Sequence, residues 1–167
     1  TTLEKSILKM LDRLNPKKII IVSSAPQIRY PDCYGIDMAK INNFIAFKAT
    51  LKLHEDHGTL KDTLDQIYLQ CKSSQDQPLE SIENHVKALY QPFTNEQISA
   101  KIAKILRGDT IKAEVEIIFQ TIEGLHKACP KNLGDWYFSG NYPTPGGNRV
   151  VNRAFMNFYE GKSVRAY

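Results

Sequence analysis

At 167 residues, with 42% apolar and 24% charged content, the chain has the makeup of one ordinary soluble domain with a sizeable core. A formal charge of +4 spread over scattered lysines and arginines gives no support to a nucleic-acid groove, and no apolar run has the length of a membrane span or the pattern of a signal peptide. Cys33, Cys71 and Cys129 form no CxxC pair, which argues for reduced thiols in a cytoplasmic protein rather than a disulfide or zinc framework.

The opening TTLEKSILKMLDRL has helical spacing. Leu3, Ile7, Leu8, Leu11 and Leu14 make one apolar stripe, Thr1 and Glu4 fit a capping box, and Asn15-Pro16 stops the helix. KIIIVSSAP predicts a short strand ending at Pro26, and four consecutive β-branched residues (19–22) predict burial on both faces, as in a parallel sheet covered by helices. YPDCYGIDM (30–38) follows, and local chemistry leaves it open as a plain turn or the wall of an active site. Helical spacing returns at 39–56, 59–72, 79–90 and 94–107, with SSQDQP (73–78) a polar loop, Thr94 and Gln97 a second capping box and Gly108 a stop. AEVEIIF (113–119) predicts a second strand, and a short helix opens at Thr121. Residues 129–148 predict an irregular, ordered loop, VVNRAFMNFYEG a closing helix and KSVRAY a frayed tail. Two strands do not make a stable parallel sheet. Either the fold is mostly helical with a token sheet, or partner strands lie in sequence outside this chain; the second is favoured.

Several residues invite a chemical reading and a plainer one. Thr1-Thr2 at a helix start is a cap, or a phosphate site built from free N–H groups and two hydroxyls. His54 and His57 are spaced i, i+3 without the zincin pattern, so a solvated helix end is expected. Asp62 with Asp65, and Glu80 with Glu83, are expected on solvent faces. The cysteines lack a neighbour that would lower a thiol pKa, so buried packing is expected. WYFSGNYPTPGGN (136–148) is a loop packed over a core, or a surface against another domain.

Taken together, IIIVSSAPQIRYPDCYGIDM resembles the segment that follows the phosphoribosyl-pyrophosphate (PRPP) loop of amidophosphoribosyltransferases, through Ser24, Ala25, Pro26, Arg29, Tyr30, Pro31, Tyr34, Gly35, Ile36 and Asp37. The start, TTLEKSILKML, resembles the family's Arg-Gly-Thr-Thr loop end running into a helix. FSGNYPT (138–144) resembles its Phe-x-Gly-x-Tyr-Pro-Thr segment, and TIEGL (121–125) the short helix before it. The likeness is strong over 1–40 and 113–145 and weak over 41–112.

The resemblance implies an α/β fold, the C-terminal portion of a type I phosphoribosyltransferase with few parallel strands and a large helical insertion. Residues 1–40 would be the C-terminal part of the PRPP-binding core, 41–112 the insertion, and 113–167 a strand, an aromatic loop and the C-terminal helix. It implies the family's activity, in which a glutaminase domain releases ammonia from glutamine. The ammonia then displaces pyrophosphate from PRPP, with magnesium, to give 5-phosphoribosylamine in the first step of purine synthesis. Purine nucleotide inhibitors and a homo-oligomer are implied as well, without nucleic acid or membrane.

By resemblance, Thr1 and Thr2 end the 5′-phosphate loop, and Arg29, Tyr30, Tyr34 and Gly35 form the ligand-side loop. Asp37 is the catalytic candidate at the metal or pyrophosphate side, with helix capping as its other reading. The family's glutaminase cysteine and the acidic pair of its PRPP motif have no match in this sequence, so this polypeptide alone is expected to be inactive, with the magnesium-contacting acids upstream. Some relatives carry an iron–sulfur cluster, but Asp32, Gly134 and Tyr137 stand at the cysteine positions, so no cluster is expected. Two other readings stay in play: a helical interaction or regulatory module centred on 41–112, and part of another type I phosphoribosyltransferase.

Overall fold

A computed structural model describes residues 3–34, 38–132 and 134–166. The expectations attached to Thr1, Thr2, Gly35 and Asp37, including the cap on Thr1, lie outside these residues.

A π-helical turn over Leu3–Ile7 runs into α1 (Leu8–Asp12). Of the apolar stripe, Leu8 is fully buried while Ile7, Leu11 and Leu14 are exposed, so the stripe is only partly covered. Asn15 leaves the helix in the left-handed region (φ 51°), the stop its sequence predicts. The Asp12 carboxylate accepts the backbone N–H groups of Lys112 and Ala113, which seats the end of α1 beside the second strand. Those bonds hold the Asp12 carboxyl below its ordinary range.

β1 (Lys18–Ser23) and β2 (Glu114–Phe119) pair in parallel, in register from Lys18 opposite Glu114 to Ser23 opposite Phe119. The predicted parallel pair is present, but burial on both faces is not. Ile19, Ile21, Val115, Ile117 and Phe119 belong to or pack on the core, whereas Ile20, Val22 and Ile118 face outward and are exposed. The helices cover one face of the sheet and leave the other open among the described residues.

Between the strands lie α2 (Ile45–Asp56), α3 (Leu60–Ser73), the four-residue α4 (Lys87–Tyr90) and α5 (Asn95–Arg107). The helix predicted over 39–56 starts late, after a 3-10 turn at Ile41–Asn43. The helix predicted over 79–90 does not form as one piece. A 3-10 turn (Leu79–Ser81) and α4 flank an irregular stretch where Asn84 Oδ1 accepts Val86 N–H, a side-chain bond that competes with helix. The box on α5 is complete: Thr94 accepts from Gln97 N–H and Gln97 Oε1 accepts from Thr94 N–H. Gly108 ends α5 with φ 53°.

After β2 come α6 (Ile122–Ala128), capped by Thr121, the single turn α7 (Trp136–Ser139), and α8 (Pro145–Tyr159). The closing helix therefore starts five residues earlier than VVNRAF suggests, because Pro145 at its first turn is preset for helix and needs no N–H partner. α2 packs on α5, α5 on β2, and α3 on α8, and one apolar cluster runs through Leu8, Ile19, Phe47, Ile67, Ile98 and Phe155. Two side-chain expectations are corrected. His54 is a buried core residue, not a solvated end: Nε2 bonds Leu89 O at 2.8 Å and Nδ1 bonds Thr59 Oγ1 at 2.9 Å. Cys129 is exposed rather than packed inside, while Cys71 is buried and its thiol is pushed up to about 12.

Candidate functional site

β1 ends at Ser23, whose hydroxyl bonds Ala25 O and turns the chain into Pro26 and Gln27. The loop that follows is pinned to the segment around α7, more than 100 residues later. Tyr137 O accepts both Arg29 N–H (2.9 Å) and Tyr30 N–H (3.1 Å). Three tyrosine hydroxyls then fasten the loop one point at a time. Tyr90 donates to Arg29 O at 2.8 Å, Tyr142 to Pro31 O at 2.6 Å, and Tyr137 to Asp32 Oδ1 at 2.8 Å. Asp32 is fully buried and its other oxygen accepts Tyr34 N–H at 2.9 Å, so the carboxylate folds the turn back on itself. Burial, above all, raises the pKa of each of these phenols, which keeps them O–H donors at neutral pH.

Two glycines make this fit. Gly140 has φ 71°, and a Cβ there would stand 2.8 Å from the Tyr30 ring and 2.6 Å from Asn84 Nδ2, which donates to Gly140 O. A Cβ on Gly147 would lie 2.5 Å from Tyr142, so the bare backbone of α8 lets that ring lie flat and aim its hydroxyl at Pro31.

Of the ligand-side candidates, Arg29 and Tyr34 reach the surface and Tyr30 does not. Tyr30 is buried edge-on against Tyr90, with ring centroids 5.4 Å apart, and supports the loop from behind. Tyr34 is exposed and meets Trp136 edge-to-face at 5.8 Å. Arg29 lies over the Tyr90 ring and donates to Gln27 Oε1 and Asn95 Oδ1; burial lowers its pKa from a starting value high enough to leave it cationic. Cys33, between Asp32 and Tyr34, has its thiol pushed up first by burial and then by the Asp32 carboxylate, the opposite of an activated nucleophile.

Arg29, Gln27 and Phe138 open onto a cleft of about 620 Å³ between β2 and α5, which continues past the carboxyl end of β2 to Thr121. Sequence reasoning missed Gln27, Asn84 and Asn95. Each is polar and unremarkable in sequence, and each gains its role from a partner 56 to 72 residues away. Among the described residues no three His, Cys, Asp or Glu side chains converge to hold a metal ion, and no helix is long and apolar enough to cross a membrane. Asp32 is committed to Tyr137 and Tyr34, so the described loop offers no acidic set that fits magnesium.

No family model and no solved structure matches the chain. Curated proteins do. One from Pasteurella multocida is 46% identical over 46 residues, 28% of this chain. One from Haemophilus influenzae is 44% identical over the same length, and one from Escherichia coli is 35% identical over 66 residues, 40% of this chain. All three are named amidophosphoribosyltransferase. The chain resembles that enzyme. The match covers 9% of the length of the first two relatives and 11% of the third.

Proposed function

We propose that this chain forms part of an amidophosphoribosyltransferase of the cytoplasm, which makes 5-phosphoribosylamine from PRPP and glutamine-derived ammonia in purine synthesis. The observation that carries the reading is the joining of two distant segments. The loop 29–34 and the stretch 137–142, each of which the sequence reading likens to the family, lie 105 residues apart at Asp32 and Tyr137 yet form one hydrogen-bonded unit beside a cleft. In an open α/β sheet, loops at the carboxyl ends of strands are where ligands bind, and the 29–34 loop leaves the carboxyl end of β1.

In this reading the tyrosine clamp holds the loop rigid, so that Arg29 and Tyr34 present a fixed wall to the sugar phosphate. Thr1 and Thr2 bind the 5′-phosphate, and Asp37 stands on the pyrophosphate side. Magnesium would neutralise charge on the departing pyrophosphate, and the described residues bring no three His, Cys, Asp or Glu side chains together to hold it. The chain by itself is then inactive, and purine nucleotides inhibit the assembled homo-oligomer.

The test is pyrophosphate release by the intact enzyme. Thr2→Ala is expected to raise the KM for PRPP roughly tenfold, the worth of one or two charge-assisted hydrogen bonds. Asp37→Ala is expected to lower kcat by about a hundredfold without a matching rise in KM. Unchanged kinetics in both variants would remove the site assignment, and absence of glutamine-dependent pyrophosphate release would remove the activity.

A further inference from the structure

On the side of the molecule built from α3 and α8, a second pocket of about 360 Å³ lies outside the site just described. Its walls combine two chemistries. Cys71, Ile82 and Met156 are buried and give it an apolar floor. Arg149 and Arg153, one turn apart on α8, give it an exposed cationic rim.

The buried polar groups of the pocket are already satisfied. Asn152 accepts His85 N–H and donates to Glu83 O, and Ser74 donates to Cys71 O. The two guanidiniums are not: among the described residues neither donates a hydrogen bond or joins an ion pair. Like charges at i, i+4 on one helix face oppose each other, so this spacing is a cost to α8 that a bound anion removes. Asp76 is the opposing charge on the rim; it stays unpaired with either arginine.

We propose that this pocket binds a phosphate monoester with a compact apolar body, the phosphate taken by Arg149 and Arg153 and the body by Cys71, Ile82 and Met156. Planar guanidiniums match phosphate oxygens two at a time, which a pair of lysines would not. The volume holds a phosphate and one ring, a modest member of the usual range for small-molecule sites. The proposal does not rest on the PRPP reading, whose cleft shares no lining residue with this pocket.

The experiment is a titration of the full chain with phenyl phosphate and, separately, with inorganic phosphate, followed through the 13C-methyl signal of Met156, one of three methionines. Phenyl phosphate is expected to shift that signal saturably and to bind more tightly than inorganic phosphate. Arg149→Gln with Arg153→Gln is expected to weaken it at least about tenfold, each charge-assisted bond contributing roughly that factor. Asp76→Asn is expected to tighten binding a few-fold, a gain that damage to the fold cannot imitate. A Met156 signal that does not saturate, or equal affinity in the parent and the double arginine variant, overturns the proposal. Inorganic phosphate binding as tightly as phenyl phosphate overturns the assignment of an apolar body.

Discussion

Gly140 stands where the stretch after α7 meets the loop after β1, and no side chain fits there. Its φ of 71° suits glycine, and any Cβ would press on the Tyr30 ring and the Asn84 amide. Gly140→Ala is expected to destabilise the fold by about 1–3 kcal/mol, from strained backbone plus displaced neighbours. Trp136, the sole tryptophan, sits four residues away and reports urea unfolding by fluorescence. A loss under roughly 0.5 kcal/mol would mean that the clamp has slack the structure does not show. Single residues were legible in sequence where their chemistry is local. Asn15 as a stop, the helix opening at Thr121 and Cys33 as a thiol with no neighbour to lower its pKa are of this kind. His54 was not, because its acceptor, Leu89 O, is supplied by a different element.

Elements followed their sequence signals where caps and periodicity agreed, as in α5 with its reciprocal Thr94–Gln97 box. They departed where side chains bid for the backbone. The stretch from Ile82 to His85 has helical spacing, yet Asn84 bonds Val86 N–H and Gly140 O, and Asn152 of α8 takes His85 N–H. His85 then holds Nε2 buried without an acceptor among the described residues. Burial, opposed by Glu83, keeps its pKa below the ordinary 6.5. The unfolded chain therefore takes up a proton that the folded state resists, and stability falls as pH drops below 6.5. His85→Gln removes that loss. Thermal melts at about pH 7 and pH 5 should show a smaller drop in the variant than in the parent, on the sign of the linkage relation. An equal drop would place the acid sensitivity elsewhere.

At the scale of the whole molecule, the sheet is covered on one face, with Ile20, Val22 and Ile118 outward. Val22 and Ile118 are register partners, so Val22→Lys with Ile118→Glu places opposite charges across the pair. This double variant is expected to change unfolding free energy by no more than about 0.5 kcal/mol, as for exposed positions, and to lower self-association in sedimentation runs. A loss of roughly 2 kcal/mol or more would show that the face is buried in the folded chain. Neighbours along the chain set two strands of one type, caps and stops, a helical middle, and short segments resembling amidophosphoribosyltransferases, and all of these are legible in the residues alone. Packing between distant segments set which strand face is covered, why His54 is dry, and that Tyr90, Tyr137 and Tyr142 converge on the loop after β1. β-Branched residues state a capacity for burial, but the layers that realise it come from elsewhere in the chain. The Tyr90 and Tyr142 hydroxyls find their carbonyls, 61 and 111 residues away, only after the intervening chain has packed.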